Sequence, residues 1–215
     1  MRFLFFLTFS CLVSCSTAQY EKDESFAELP KNKENLAVAT FAGGCFWCTE
    51  AVFERVEGVK HVISGYSGGD NADPTYREVS AGKTTHAEAI QVYYDSEIVS
   101  FETLLEVFFL GAHDPTQVNR QGPDRGAQYR SVAFYRTEKE KEAIKNKIDK
   151  LEDSKFDEPI ATQVMVFKVF YPAEKYHQDY YPANQSNGYV VQVSKPKVVK
   201  FEKTFPHLLK AEYRK

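Results

Sequence analysis

Two cysteines stand three residues apart, Cys45 and Cys48, directly after Gly43-Gly44 in the segment GGCFWCTE that ends at Glu50. Val52, Phe53 and Val56 follow at helical spacing, so Cys45 opens a helix, near unpaired backbone N–H groups and the positive end of the helix dipole. That position favours the thiolate, and Cys45 is expected to be a nucleophile of lowered pKa. The glycines leave room for the turn and for an approaching substrate. Cys48 lies one helical turn on, within reach of Cys45 after modest local adjustment. Three readings of the pair stay open: a redox couple, half of a zinc site, or an inert buried pair. Zinc wants about four ligands, and no second Cys pair or close His pair supplies the rest, so no metal is expected. Phe46 and Trp47 offer an apolar wall for a small nonpolar group such as a thioether methyl, although core packing is the commoner fate of such rings. A Cys-x-x-Cys at a helix start also suits a thioredoxin-like disulfide oxidoreductase, but the early strand and helix expected ahead of it are missing.

The elements that must position these thiols can be read from periodicity. Leu36 to Phe41 is β-prone, the glycine turn follows, and Thr49 to Val56 is helical. Val59 to Tyr66 and His86 to Tyr94 read as strands, the second alternating Ile90, Val92 and Tyr94 against Ala89, Gln91 and Tyr93. Ser100 caps a helix that carries Leu104, Leu105, Phe108 and Phe109 and stops at Gly111, and Tyr129 to Arg136 is a fourth strand. The order βαββαβ predicts an α+β two-layer sandwich with a split-βαβ, ferredoxin-like core. A further helix starts at Thr137 with Ile144, Ile148 and Leu151 as its apolar stripe, and Ala161 to Phe170 reads as one more strand. Irregular segments remain at Ser67–Thr85, Ala112–Gln128 and Tyr171–Gly188, longer than loops usually are unless they carry function.

The chain has 215 residues and is 43% hydrophobic, enough for one sizeable core, which is placed at residues 36–205 with 206–215 as a tail. With 27 Lys+Arg against 30 Asp+Glu the net charge is −3, which offers nothing to attract nucleic acid or an anionic membrane surface. Met1-Arg2 and the apolar run through Val13 read as an export signal over residues 1–14, too short to span a bilayer. Leu12-Val13-Ser14-Cys15 resembles a bacterial lipoprotein cleavage box, so Cys15 is expected to be lipidated, followed by a polar tether to residue 35. Cleavage nearer Ala18 is the alternative. The protein is thus expected to be exported and anchored in a bacterial cell envelope through its lipid alone. With Cys11 removed and Cys15 modified, only Cys45 and Cys48 remain as thiols, too close together to staple distant parts of a fold.

The cysteine segment resembles the type A peptide methionine sulfoxide reductase family. So do Gly65-Tyr66-Ser67-Gly68-Gly69, Pro74-Thr75-Tyr76-Arg77-Glu78-Val79, His86-Ala87-Glu88, His113-Asp114-Pro115-Thr116-Gln117 and Gln128-Tyr129-Arg130-Ser131, in order and approximate spacing over residues 36 to 190. The resemblance implies attack by Cys45 on the sulfoxide sulfur of free or protein-bound methionine sulfoxide, with preference for the S epimer. Glu88, on a strand face with Ile90 and Val92, is the implied acid, kept protonated by its apolar setting. Tyr76 and Tyr129 match tyrosines that hydrogen-bond the sulfoxide oxygen. Asp124 is implied to orient the site, although Pro123 and Arg125 beside it depart from the family form. His86 and His113 are read as structural. A sulfenic acid on Cys45 would condense with Cys48, and a thioredoxin-like reductant would reopen the disulfide, with no metal or organic cofactor. Many relatives carry resolving cysteines near the C-terminus; here Gly188-Tyr189 is followed by Val190, and no cysteine follows Cys48. The chain is expected to act as a monomer. An inactive, lipid-anchored scaffold is the remaining alternative.

Overall fold

Every residue of the strand Ala87–Tyr94 is buried, Glu88 and Gln91 included, as a strand covered on both faces and flanked on both sides requires. The architecture around it comes from a computed structural model that describes residues 23–31 and 35–214. The expected signal segment and Cys15 lie outside the described residues. In chain order the elements are β1 (Ala37–Gly43), α1 (Phe46–Phe53), β2 (Val59–Ser67), α2 (Tyr76–Ser80), β3 (Ala87–Tyr94) and α3 (Phe101–Glu106), which runs on as π-helical turns over Val107–Ala112. A small hairpin of β4 (Arg120–Gln121) and β5 (Asp124–Arg125) precedes β6 (Ser131–Tyr135). Then come α4 (Glu138–Glu152), β7 (Gln163–Val166), β8 (Phe170–Pro172), α5 (Tyr180–Ala183) and α6 (Lys195–Thr204).

The main sheet has the order β7-β6-β1-β3-β2-β8. Its inner four strands are antiparallel neighbours, with Phe41 opposite Ile90 and Tyr66 opposite Glu88, and they form the α+β split-βαβ core that the sequence order predicts. The period-2 alternation of β3 assigns its residues to two cores. Ile90, Val92 and Tyr94 join the large cluster under the helices, whereas Ala87 and Ala89 join a smaller one with Val132, Phe134 and Phe170. In the large core Phe41 stacks on Phe53, Phe101 and Phe108 at centroid distances of 5.5, 6.2 and 4.8 Å. Full burial of one such ring is worth roughly 1.5–3 kcal/mol.

Three expectations need correction. Ala161 to Phe170 is not one strand. Val132 to Tyr135 pair in parallel with Gln163 to Val166, and the chain then crosses to the opposite edge of the sheet, where Phe170 to Pro172 pair with Gly65 to Ser67. The sheet curls around the small core, to which Phe167 packs during the crossing, so one continuous β-prone run serves two edges. Ser67–Thr85 is not wholly irregular, because Thr75 and Glu78 form a complete capping box that starts α2; the T-x-x-E spacing was the signal for it. Helix α6 was not anticipated. Its neighbours Leu208 and Leu209 also pack inward: Leu209 bridges Val56, and the Leu208 carbonyl accepts the Glu57 N–H at 2.7 Å. The tail thereby closes the base of α1. At the other end the tether is partly docked, with Phe26 bridging Glu174 and the Ala27 N–H donating to Ala173 O at 2.9 Å.

Candidate active site

Gly44 has φ +85, and a Cβ there would lie 2.5 Å from Cβ and Cγ of Gln121. Glycine is therefore required both by the turn and by the β4–β5 hairpin that packs on it. Cys45 follows as the N-cap of α1 with an extended backbone, and its carbonyl accepts the Cys48 N–H at 3.1 Å. The next free N–H of the helix, that of Phe46, donates to Glu88 Oε2 at 3.0 Å. One amide thus ties the thiol-bearing turn to the carboxyl of the central strand.

Glu88 is 2% exposed. Burial pushes its pKa up to about 8, against the Phe46 N–H, which favours the ionised form, and with Asp124 and Cys48 adding to the rise. The carboxyl is protonated at neutral pH. Tyr76 and Tyr129 stand around it, and burial followed by the Glu88 charge drives both phenols well above their ordinary range, so both remain hydrogen-bond donors. Together with Cys45, Phe46, Trp47 and Asp124 these groups wall one cavity of about 370 Å³. All the residues expected to meet substrate are therefore brought together. Cys48 lies just behind, fully buried and hydrogen-bonded to Cys45. A larger cavity of about 700 Å³ lies beside α6 and holds none of the pocket's groups.

The Cys45 pKa moves against expectation. Burial pushes its thiol up, followed by the hydrogen bond to Cys48 and the nearby Cys48 and Glu88 charges. The start of an eight-residue helix does not offset the loss of water around a sulfur beside a carboxyl. Cys48 goes the other way, to about 6, through the hydrogen bond from Cys45, with Lys197 and Ser194 helping and burial and Asp124 opposing. The resting pair is a Cys45 thiol that donates to Cys48.

Three pocket residues were missed. Tyr189 donates to Asp124 Oδ2 at 2.6 Å and its hydroxyl also lies within hydrogen-bond reach of Cys45, so its single proton can turn to either and the phenol stands between Asp124 and the thiol. Tyr180 stacks on Trp47 at 3.7 Å and 8°, and Asn187 closes the rim. The Trp47 indole donates to His177 Nδ1 at 3.1 Å, which fixes the ring against the pocket mouth. All these come from 177–189, and the unusual length of the irregular stretch Tyr171–Gly188 was the only signal in the sequence. Just before them, Glu174 accepts the Tyr66 hydroxyl at 2.9 Å and the Tyr76 N–H at 2.8 Å, and so holds the start of α2 to the sheet. His86 and His113 pin loops and strands. His86 meets Gly69 N–H and Asn71 O, and His113 bridges Phe108 O and Ser131 Oγ with its pKa lowered by burial to about 4. Among the described residues no group of three or more His, Cys, Asp or Glu is placed to hold a metal.

The family model described as peptide methionine sulfoxide reductase matches residues 37–209. The chain is similar to peptide methionine sulfoxide reductase MsrA 2 of Synechocystis sp., with 51% identity over 175 residues, 81% of this chain and 82% of that one. It is also similar to peptide methionine sulfoxide reductase MsrA of Natronomonas pharaonis, 47% identical over 79% of this chain and 95% of the relative. Among solved structures it resembles Mxr1 from Saccharomyces cerevisiae in reduced form, with TM-score 0.64 and 33% identity over 70% of this chain and 87% of that one. Methionine sulfoxide reductase A of Corynebacterium diphtheriae gives TM-score 0.66 and 29% identity over 78% and 84%.

Proposed function

The chain belongs to the peptide methionine sulfoxide reductase family and reduces methionine sulfoxide with electrons from thiols, and from that premise we propose how its own residues divide the work. Cys45 is the nucleophile, Glu88 the proton donor, Tyr76 and Tyr129 the groups that hydrogen-bond the sulfoxide oxygen, and Cys48 the resolving thiol. The observation that carries this reading is the Phe46 N–H, which joins the Cys45 turn to a protonated, buried Glu88 in one cavity.

The sulfoxide oxygen gains negative charge as the Cys45 sulfur bonds to the substrate sulfur, and Glu88 with the two phenols meets that charge. The S–O bond of the substrate breaks and its oxygen leaves as water with the protons of Glu88 and the Cys45 thiol. A water molecule then bonds to the Cys45 sulfur and returns a proton to Glu88 as the bond between the two sulfurs breaks, so methionine leaves reduced by two electrons and Cys45 is oxidised to a sulfenic acid. Phe46 and Trp47, the latter braced by Tyr180, receive the methyl group. Asp124 orients the Cys45 side through Tyr189. Cys48 then displaces water from the sulfenic acid to give the Cys45–Cys48 disulfide, and a thioredoxin-like dithiol takes that disulfide back to two thiols by exchange. Electrons balance over these thiols without a metal or organic cofactor. The proposed substrate is the S epimer of methionine sulfoxide, free or in proteins, and the proposed working form is a monomer.

Incubation of the protein with each epimer and dithiothreitol tests the assignment. Methionine from the S epimer alone is the expected result. Disulfide reduction without methionine would instead support a thioredoxin-like oxidoreductase, and no turnover would leave a scaffold. Export and lipidation at Cys15, with the catalytic unit over 36–205 held at a bacterial envelope, are supported by the Leu12-Val13-Ser14-Cys15 segment. Palmitate labelling that Cys15→Ala abolishes is the expected outcome, and equal labelling of both chains would count against the anchor.

A further inference from the structure

Cys48 and Ser194 are both fully buried, and the Cys48 thiol donates to Ser194 Oγ at 3.3 Å. Ser194 ends the π-helical turns Val190–Ser194 that run directly into α6, with helical φ and ψ, and its hydroxyl is turned to the sulfur. One turn on, at the i+3 position, Lys197 carries a buried Nζ with no hydrogen-bond partner among the described residues. An ammonium in that state costs stability unless an opposite charge stands nearby. The cavity that Lys197 lines also carries Asp157 and Glu158 with Lys155 and Lys200, and the Lys197 charge bears on two buried titratable groups. His113 is held neutral, and Asp114 on the same cavity wall spends its oxygens on Thr116 and Gln117. The other is Cys48, where Lys197 and Ser194 favour the ionised sulfur and Asp124 opposes them.

We propose that Ser194 and Lys197 form a thiolate-holding site for Cys48, a hydroxyl and an ammonium built into the start of α6 that act in the second half of the catalytic cycle. The proposal rests on the reading of Cys48 as the resolving thiol. In the resolving step the Cys48 thiolate bonds to the Cys45 sulfur, the S–O bond of the sulfenic acid breaks, and hydroxide leaves as water with one proton. In recycling, the reductant thiolate bonds to Cys45, the sulfur that faces the pocket, the S–S bond breaks, and Cys48 departs as thiolate. Ser194 can turn its O–H toward the ionised sulfur in both steps, and the Lys197 charge stabilises the same species as nucleophile and as leaving group. Lys197 and Ser194 are positioning residues, since neither meets the substrate.

The test is single-turnover kinetics of the full chain, comparing it with Lys197→Met, Lys197→Arg and Ser194→Ala from pH 5 to 10. One equivalent of methionine S-sulfoxide is added, methionine release is followed as the measure of folding, and the Cys45–Cys48 disulfide is followed by mass after thiol trapping. Its reduction by dithiothreitol is timed separately. Below the Cys48 pKa of about 6, a rise of one unit cuts its thiolate about tenfold but returns about threefold in nucleophilicity, so Lys197→Met should slow disulfide formation about threefold at pH 5. The deficit should fade as pH rises through about 7, where the thiol of the variant ionises as well. Lys197→Arg should restore most of the rate, and Ser194→Ala should give a smaller loss. Parent-like rates and pH profile in Lys197→Met would overturn the proposal. A loss equal at every pH and not rescued by Arg would also overturn it, because packing alone explains such a loss. Absence of any Cys45–Cys48 disulfide in the parent chain would instead remove Cys48 as resolver.

Discussion

Cys45 and Cys48 share a residue type, one helical turn and near-complete burial, yet they belong to different halves of the molecule. Cys45 faces the pocket, with Glu88, two phenols and Tyr189 around it. Cys48 faces the C-terminal segment, with Ser194 and Lys197. Burial raises the first thiol, and the hydrogen bond from Cys45 brings the second to about 6. A helix start by itself does not set the protonation of a cysteine. Burial, the hydrogen bond between the two sulfurs and the groups that tertiary folding delivers to each side set it together, and here they separate one sulfur for substrate from one for recycling.

The comparison breaks most completely with Cys45→Ser. Both half-reactions pass through that sulfur, so methionine formation should fall by roughly 10⁴-fold or more, to the level of reagent alone. Cys48→Ser should separate the two roles. About one methionine per chain should still be released in a first turnover, while thioredoxin-driven steady-state turnover is lost, because no second thiol in the pocket is left to close the cycle. Unchanged steady-state activity in that variant would refute Cys48 as the resolver.

Glu88→Gln sharpens the pocket side. Loss of the acid should lower kcat/KM by about 10²- to 10⁴-fold. In the parent the acid form is present below its pKa, so kcat/KM should decline as pH rises through about 8, a limb that the Gln variant should lack. The same raised pKa makes a stability statement. The folded chain binds this proton more tightly than the unfolded chain, so the Glu88 contribution is complete below the ordinary carboxyl range and is lost as pH rises through about 8. Urea unfolding at pH 6 and pH 9 should therefore show a larger drop for the parent than for Glu88→Gln.

Smaller effects should come from the hydrogen-bond donors. Tyr129→Phe removes one of two phenols that stay protonated throughout the working range and should cost about tenfold in kcat. Asp124→Asn keeps an acceptor for Tyr189 but removes its charge, and should cost a few-fold, seen in single-turnover methionine release. A loss for Asp124→Asn as large as that for Glu88→Gln would mean that Asp124, and not Glu88, handles the proton.

Much of this was legible in residue order. Period-2 alternation in 87–94 and the apolar spacing after Cys45 are local signals, and they predict the split-βαβ core because each strand and helix must bury its own apolar side. The expected pocket residues could be named from motifs, but their meeting in one cavity depends on strand register, such as Tyr66 opposite Glu88, which no local pattern states. The run 161–170 failed because periodicity cannot tell one strand from two short ones at opposite edges of a curled sheet. Tyr180, Asn187 and Tyr189 were missed because they sit in short turns whose position is set by contacts with Trp47 and Asp124, far away in sequence.

By itself, then, the sequence determined which atoms could react: two thiols one turn apart after a glycine turn, a carboxyl on a buried strand, and the loss of any later cysteine. Only the tertiary structure decided how those atoms hold their protons. Burial and neighbouring charge act through space: Asp124 raises Glu88 from 36 residues away and Lys197 lowers Cys48 from 149 away, and both add to burial and to the hydrogen bond between Cys45 and Cys48, three residues apart.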